Sequence, residues 1–330
     1  MVAASWPDEL DRAAFERMRE RATEEHSTAL LLLHDGKLLH ADNPLGEGDL
    51  DEPSIAMSAT KSVVALLIGK LVDDGALSLD EPLSDELVPE WKDDERASIT
   101  LRHLLNHTSG LDPTRATAHA FADGKKVRPI DIEKTGTEAR LVTPVGEKFA
   151  YNNQAVDFLS VIVRRLYTDG VRLDDMLQKH LFVDLGVAGA FWMTDAKGDP
   201  RAAGELVMRP IDLAKIGQLV LDRGMWRGER LLSEEWMTAM LGPGQDLYDG
   251  CGLLWWRDGR KRADGTREVL AYRADGYLGQ YIIVVPDKRM VAVRMRDPRR
   301  TSGDPKEYTY RDFMWDALAV AGHAIPEDER

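Results

Sequence analysis

The pattern of hydrophobic and polar positions separates β-like chain ends from a helical middle. Near the N-terminus, the spacing of apolar residues predicts a helix over 8–24, and the continuous apolar run 29–33 predicts a buried strand that returns as a hairpin. Between residues 76 and 200 the pattern predicts helices and loops only, including a strongly amphipathic helix over 153–166. The C-terminal third instead predicts an antiparallel meander from four β-like runs: 253–257, 269–273, 280–285 and 290–295.

Strands at both chain ends, with helices between them, indicate one sheet that both ends share. The most economical arrangement is an α+β fold in which an antiparallel sheet built from both chain ends is flanked by helices. We therefore predict an α/β lobe formed by residues 1–75 and 205–330 and an inserted all-helical lobe formed by residues 76–204. An active site would lie between the two lobes, where pockets commonly form.

Composition and charge exclude several classes of partner. The chain has 330 residues, is 43% hydrophobic and 30% charged, and carries a net charge of −14, which argues against nucleic acid or an anionic membrane as its main partner. The N-terminal segment lacks the features of a secretory signal and no apolar run is long enough to span a bilayer, so we expect a cytoplasmic protein. Cys251 is the single cysteine and no metal-binding spacing occurs, so we predict no disulfide, metal or other cofactor.

A first candidate for chemistry lies at residues 57–62, a hydroxyl-rich segment that leads directly into the apolar stretch 63–68. Positions three apart share a helix face, so Ser58 Oγ and Lys61 Nζ could meet at a helix N-terminus, where backbone N–H groups favour negative charge. A serine becomes a nucleophile when a base takes its proton, and a lysine can be that base when burial disfavours its ammonium form. Taken alone, the same spacing also fits a helix-capping serine followed by a solvated lysine.

A second candidate precedes the helix predicted over 153–166. The phenol of Tyr151 could relay a proton between nucleophile and leaving group. Asn153 could offer its amide to Lys61 and to a substrate carbonyl. The structural alternative is a tyrosine packed under a loop and an asparagine that caps a helix.

A third candidate is the edge of the predicted meander. There Ala274, Asp275 and Gly276 could position a substrate, and glycine permits close approach of the backbone. The backbone N–H groups of Ser58 and Tyr277 would then form an oxyanion hole. The structural alternative is an ordinary glycine-containing hairpin.

In this order along the chain, the three candidates resemble the three motifs of the serine β-lactamase and penicillin-binding-protein superfamily: 58–61 (SATK), 151–153 (YNN) and 274–276 (ADG). The closest likeness is to the class C β-lactamase-like branch, which includes family VIII carboxylesterases, D-amino-acid peptidases and 6-aminohexanoate-dimer hydrolases. Residues 101–111 and 209–217 are also similar to segments typical of this branch. Each motif alone is weak, but three in the correct order are specific.

The resemblance implies a β-lactamase-like fold and a metal-independent serine hydrolase that cleaves an ester or amide of a small molecule through an acyl-enzyme on Ser58. It implies Lys61 as general base, Tyr151 as proton relay and Asn153 as positioning group, with oxyanion N–H groups from Ser58 and Tyr277. Whether Lys61 or Tyr151 accepts the proton during acylation is left open, and so is assembly into a homo-oligomer.

One motif departs from the family pattern. The third motif commonly begins with lysine or histidine, but here Ala274 stands in that place and Asp275 follows it. This argues against efficient penicillin hydrolysis and favours a substrate with an amine near the scissile bond. The alternatives are β-lactamase or D-amino-acid peptidase activity, or a catalytically idle binding homologue of the same fold.

Two further segments carry residues that suggest catalysis but are interpreted as structural. Residues 134–136 (KTG) match the lysine form of the third motif, yet they precede Tyr151, and we interpret them as a loop. His103 and His107 could serve as bases, but the segment that carries them is structural in the family that it resembles.

Overall fold

The structure is a computed structural model that describes residues 6–46, 49–113, 130–167, 169–297 and 310–324. Within those residues the strands are β1 (Ser27–His34), β2 (Lys37–Asp42), β3 (Ser54–Ile55), β4 (Phe191–Trp192), β5 (Leu206–Met208), β6 (Met225–Trp226), β7 (Glu229–Arg230), β8 (Trp256–Lys261), β9 (Arg267–Gly276), β10 (Gln280–Val285) and β11 (Met290–Arg296). The α-helices are α1 (Arg12–Glu24), α2 (Thr60–Asp73), α3 (Leu101–Leu105), α4 (Ile132–Thr137), α5 (Asn153–Leu166), α6 (Leu173–Leu177), α7 (Val183–Leu185), α8 (Pro210–Leu221), α9 (Glu234–Leu241) and α10 (Tyr310–Val320). None of these described helices combines the length and the apolar composition needed to cross a bilayer.

A six-stranded antiparallel sheet, counted within the described residues, joins the two ends of the chain. Its strand order is β2-β1-β11-β10-β9-β8, so the N-terminal hairpin pairs with the last strand of the C-terminal meander. The register places Leu31 opposite Val293 and Leu33 opposite Val291. The predicted α+β fold, with one sheet built from both chain ends and flanked by helices, is confirmed.

Both faces of this sheet are buried, which explains why β1 is a continuous apolar run and not an alternating one. Leu31 and Leu33 belong to a core shared with α2 and α8, whereas Leu30 and Leu32 belong to a second core shared with α1 and α10. Helices therefore cover the sheet on both sides. The first of these cores continues without a break into α5 and α6, and the predicted division into two lobes stays a prediction.

Helix α2 lies at the centre of the molecule, since every residue from 60 to 69 is buried. A helix that is apolar on nearly all sides packs inside a protein. A small sheet with strand order β3-β5-β4 leads into it, with Ser54 opposite Met208. The Ala56 N–H then donates to the Leu206 carbonyl over 2.8 Å, so the chain entering α2 is fixed to β5, the central strand of this sheet.

Several local predictions are wrong. The short strand β4 lies where the pattern predicted only helices and loops, and it pairs with β5. Helix α9 has no counterpart among the predicted elements, and it packs on α2 so closely that a Cβ at Gly69 would lie 2.0 Å from Nε1 of Trp236. Strand β8 begins at Trp256 and not at residue 253, because Trp255 leaves the sheet and donates its indole N–H to the Ser62 carbonyl over 3.1 Å.

The predicted loop at residues 134–136 is also wrong, because these residues belong to helix α4. Asp131 begins the helix by accepting the Lys134 N–H over 2.9 Å. A Cβ at Gly136 would lie 2.0 Å from the ring of Phe158, so the glycine allows α4 to pack closely on α5. This segment is structural, and the strand that the third motif requires is β9.

Candidate active site

Ser58 and Lys61 lie at the entrance of α2, on the short 3-10 turn Met57–Ala59 and on the first turn of the helix. Met57 has a φ of 48°, a left-handed conformation that costs free energy for a residue with a side chain, immediately before Ser58. Lys61 Nζ donates a hydrogen bond to Ser58 Oγ over 2.9 Å. Ser58 is half-buried and Lys61 is only 3% exposed, so the amine is held out of bulk water beside the hydroxyl.

A backbone carbonyl also binds the amine of Lys61. The Ala203 carbonyl, in the turn before β5, accepts a second hydrogen bond from Nζ. Asp157, fully buried on α5, accepts the Ala203 N–H over 2.8 Å and the Arg201 Nε–H over 3.0 Å. Burial raises the pKa of Asp157, and the charge of Arg201 and the Ala203 N–H oppose that rise. The amine of Lys61 therefore has an acceptor on two sides.

Tyr151 lies beside this pair, two residues before the start of α5. Lys61 Nζ is 5.0 Å from the centroid of its ring. The ring stacks near that of Trp256, at 6.2 Å with an interplanar angle of 19°, and packs against His107 at 4.7 Å. Tyr151 is 38% exposed, so it lies between the buried amine and solvent.

Asn153 is the first residue of α5, but the helix cap is its neighbour. Asn152 Oδ1 accepts the Ala155 N–H over 3.1 Å and so begins the helix. The Oδ1 atom of Asn153 is buried and has no hydrogen-bond partner among the described residues. Asn153 is not among the described residues that form the wall of the pocket around Ser58, and its positioning role stays a prediction.

The end of β9 brings the third motif against the turn that carries Ser58. A Cβ at Gly276 would lie 2.3 Å from the Ala56 carbonyl oxygen, so only glycine permits this approach. Ala274 is fully buried in the core that α2 shares, and its side chain therefore faces away from solvent. Tyr277 follows Gly276 directly, and the role of its N–H as an oxyanion donor stays a prediction.

Asp275 lines the pocket, but its charge is compensated. Its carboxylate forms an ion pair with Arg273, which also donates to Asp258 over 2.7 Å from Nε. Burial raises the pKa of Asp275, and the Arg273 guanidinium opposes this rise. The expectation of an amine-bearing substrate assumed an unopposed anion at this position, and the Arg273 pair removes that basis.

The side chains around Ser58 line a small pocket that opens to solvent. Its walls are formed by Ser58, Lys61, Ser62, His107, Tyr151, Cys251, Leu254, Trp256 and Asp275. The serine, the lysine, the tyrosine and one residue of the third motif thus share one pocket. Residues 12–310 match the family model described as Beta-lactamase.

The chain belongs to the Beta-lactamase family. It is 26% identical over 240 residues to 6-aminohexanoate-dimer hydrolase from Paenarthrobacter ureafaciens, a match that covers 69% of this chain and 60% of that protein. It is 30% identical over 198 residues to lovastatin esterase from Penicillium rubens, covering 53% of this chain and 48% of that protein. The matches thus span only about half of the length of these relatives.

A solved class C β-lactamase from Rhodobacter sphaeroides has the same fold. It superposes with a TM-score of 0.66 at 17% identity, covering 93% of this chain and 98% of that one. The predicted membership of the β-lactamase-like superfamily is confirmed by the family match and by this shared fold.

In this member of the Beta-lactamase family, neither His103 nor His107 has the surroundings of a general base. His103 Nδ1 accepts the Thr100 N–H over 3.1 Å and so caps α3. His107 lines the pocket, but its Nδ1 accepts the Asn152 N–H over 3.2 Å. Burial, with the nearby charge of Lys61, lowers the pKa of His107 to about 3, so its ring is neutral at ordinary pH. Both contacts agree with a structural interpretation.

The remaining candidates for special chemistry are inert or lie elsewhere in the described chain. Burial raises the pKa of the Cys251 thiol to about 12, so it stays protonated in the pocket. Among the described residues, Glu9, His34 and Asp35 have ligand atoms within 4.8 Å of one another, but they lie at the β1–β2 hairpin and line no part of the pocket.

The residues that hold the Lys61 amine from the side opposite Ser58 were not predicted from the sequence. Arg201 and Ala203 carry no motif, and the contact of Ala203 with Lys61 spans 142 residues of chain. Asp157 gave no signal either, because it falls on the polar side of an amphipathic helix, where a carboxylate is expected to face solvent.

Proposed function

We propose that this protein is a serine hydrolase that cleaves an ester or amide of a small molecule through an acyl-enzyme on Ser58. The observation that carries the proposal is the buried amine of Lys61, 2.9 Å from Ser58 Oγ, with the ring of Tyr151 5.0 Å away on its solvent side. A base within hydrogen-bond distance of a serine is the arrangement that nucleophilic catalysis requires. Relatives named a hydrolase and an esterase support the same reaction class.

In the first half of the reaction, Ser58 Oγ attacks the acyl carbon of the substrate and loses its proton to the base. The bond between the acyl carbon and the leaving oxygen or nitrogen then breaks, and Tyr151 passes a proton to the leaving group. Water repeats the attack in the second half, releases the acid and returns the proton to Ser58. The N–H groups of Ser58 and Tyr277 are the proposed donors to the oxyanion of both intermediates.

The distances in the site are compatible with either Lys61 or Tyr151 as the base that accepts the Ser58 proton during acylation. A neutral Lys61 can direct one N–H to the Ala203 carbonyl and turn its lone pair toward Ser58 Oγ. A charged Lys61 donates to both acceptors, and Tyr151 beside it would then be the group that accepts the serine proton. In each case Lys61 is the group that connects Ser58 to Tyr151.

A neutral ester or amide fits this site better than a penicillin. Ala274 provides no cation at the start of the third motif, and Arg273 is turned toward Asp258 and Asp275. A substrate carboxylate would therefore have to compete with two protein carboxylates for that guanidinium. We rank β-lactam and D-amino-acid peptide substrates second for this reason.

Intact mass analysis with a fluorophosphonate probe and with a p-nitrophenyl acyl ester tests the proposal. We expect one adduct on the native protein, located at Ser58 by peptide mapping, and none on Ser58→Ala. A catalytically idle binding homologue would show thermal stabilisation by small amides without any adduct. The proposal fails if the native protein stays unlabelled or if Ser58→Ala is labelled equally.

A further inference from the structure

Helix α5 carries a row of polar side chains through the interior of the protein. Residues 154–163 are all buried, and an ordinary buried helix would be apolar throughout. Asn153, Asp157, Ser160 and Arg164 nevertheless recur at intervals of 4, 3 and 4, which places them on one helix face. Buried polar groups cost free energy unless they are hydrogen-bonded, so their partners indicate what the row does.

Three members of this row bind the same short segment, residues 199–203. Arg164 Nε donates to Asp199 Oδ1 over 2.8 Å, and Ser160 donates to the carbonyl of the next residue, Pro200. Asp157 makes the third contact, which joins Arg201 and the Ala203 N–H to one carboxylate. The row therefore fixes the segment to α5 at three successive points.

Within the described parts of the chain, only the Asp157 contact leads on to Lys61 and Ser58. The residue that donates its N–H to Asp157 is the one whose carbonyl accepts from Lys61 Nζ. The Gly204 N–H closes the turn by donating to the Arg201 carbonyl over 3.0 Å, and Trp192 Nε1 donates to the same oxygen over 3.0 Å. Ala203 is thereby held from both sides, by a carboxylate on α5 and by the amine on α2.

We propose that Asp157 is a positioning residue for the hydrolysis proposed above, on which this inference rests. Through Arg201 and Ala203 it fixes the carbonyl that orients the Lys61 amine toward Ser58. A lysine amine ends a flexible four-carbon stem, so its direction must be set by its acceptors. Because a carbonyl only accepts, one N–H of Lys61 must point to Ala203. This fixes the orientation of the amine and leaves another N–H or the lone pair for Ser58 Oγ.

A second ion pair between α5 and the segment 199–203 provides a matched control. Asp199 is 1% exposed in its side chain and Asp157 is 2% exposed, and each binds one arginine. Asp199 lies two residues before Arg201 and makes no contact with Lys61 among the described residues. Either substitution should therefore lower the stability of the protein, whereas only Asp157→Asn should also reduce catalysis.

Steady-state kinetics on a p-nitrophenyl acyl ester, with thermal unfolding, compare Asp157→Asn and Asp199→Asn. We expect both variants to unfold at lower temperature. For Asp157→Asn we expect kcat to fall about 10–100-fold with KM within about twofold, since a small misplacement of a catalytic group has this effect. For Asp199→Asn we expect kcat within about twofold of the native value. An equal loss of kcat in both variants, or a native kcat in Asp157→Asn, overturns the proposal.

Competitive acetylation of Lys61, mapped by mass spectrometry against Lys70 on the same helix, gives a readout that needs no activity. We expect Lys61 to be acetylated faster in Asp157→Asn and unchanged in Asp199→Asn. If the native protein hydrolyses nothing, the proposed function fails, while unchanged acetylation in Asp157→Asn overturns the positioning role itself. Should Asp157→Asn not fold, Arg201→Lys replaces it, because lysine cannot hold the carboxylate through two nitrogens. Native kcat and native acetylation in that variant would overturn the proposal equally.

Discussion

Lys61 and His107 are the basic side chains that line the described pocket, and their partners give them different functions. Lys61 Nζ is hydrogen-bonded to Ser58 Oγ and to the Ala203 carbonyl, and of these two groups only the Ser58 hydroxyl can exchange a proton with it. His107 accepts a backbone N–H through Nδ1 and packs its ring against Tyr151. In the proposed reaction, the first residue exchanges protons with Ser58 and the second supports the phenol of Tyr151 as a neutral ring.

Replacing Lys61 by alanine should abolish turnover nearly as completely as replacing Ser58. Residues that act as one unit lose most of their effect when any member is removed, so we expect kcat/KM to fall by about 10³-fold or more in Lys61→Ala. Ester hydrolysis by both variants, with circular dichroism to verify folding, measures this. Native turnover by a folded Lys61→Ala protein would show that the base lies elsewhere.

His107 should make the protein sensitive to acid. Its pKa is lowered from 6.5 to about 3 in the folded state, so between these values the unfolded chain binds more protons than the folded one. The free energy of unfolding should therefore fall as pH decreases through this range, by up to about 1.4 kcal/mol per pH unit from this residue. Denaturant titrations from pH 7 to pH 4 should show a shallower dependence in His107→Gln. Identical slopes for the two proteins would contradict the assignment.

At the scale of secondary structure, two elements from distant parts of the chain meet at the nucleophile. The 3-10 turn Met57–Ala59 precedes α2, and the end of β9 packs directly against it. The contact depends on the missing side chain of Gly276, because a Cβ there would overlap the Ala56 carbonyl at 2.3 Å. The proposed oxyanion donors belong to these two elements, so their separation sets the width of the hole.

The substitution Gly276→Ala should therefore reduce activity by widening this contact. We expect kcat to fall by about 10–100-fold, since the strand end and the turn must move apart. Gly204→Ala is the matched control, because a Cβ there would meet the nearby Met57 carbonyl at an ordinary 3.8 Å. Hydrolysis assays on both variants decide the point, and equal activity of the two would mean that the glycine contact does not set the oxyanion geometry.

The sequence could predict these elements to the extent that their signals were local. The apolar run of β1 and the amphipathic face of α5 identify strand and helix without reference to the rest of the chain. By contrast, Trp255 lies in an apolar run yet leaves the sheet, because its indole N–H finds the Ser62 carbonyl 193 residues away along the chain. The contact of Asp157 with Arg201 escaped for the same reason, since Arg201 lies 44 residues away and carries no motif. The partner of Asp275, in contrast, lies only two residues away, so that ion pair was a local signal that went unused.

At the scale of the whole molecule, the sheet separates two cores that have different relations to the site. The core containing Leu31 also contains α2, whereas the core containing Leu32 lies between the sheet and helices α1 and α10. Both leucines are almost fully buried, at 1% and 0% exposure, although they are neighbours in one strand. Packing on one side of the sheet therefore supports the pocket, and packing on the other side supports the sheet alone.

The pair Leu31→Ala and Leu32→Ala should separate these two contributions. Each substitution should lower the free energy of unfolding by about 2–5 kcal/mol through a buried cavity. We expect Leu31→Ala also to reduce kcat, because the cavity opens beneath α2, and Leu32→Ala to retain it at temperatures where both are folded. Denaturant melts together with ester hydrolysis measure both quantities. A larger loss of kcat in Leu32→Ala would reverse this assignment.

The pairing of β1 with β11 also has a consequence for biosynthesis. Ser27 pairs with Arg296, so the open edge of the β1–β2 hairpin stays uncovered until the ribosome has synthesised the chain as far as β11. Contacts of such long sequence separation form slowly, and an uncovered apolar strand edge promotes association with other chains. A nascent or truncated chain without its last strands would expose this edge and leave the underside of α2 unsupported. Assembly of the turn that carries Ser58 thereby depends on synthesis of β11.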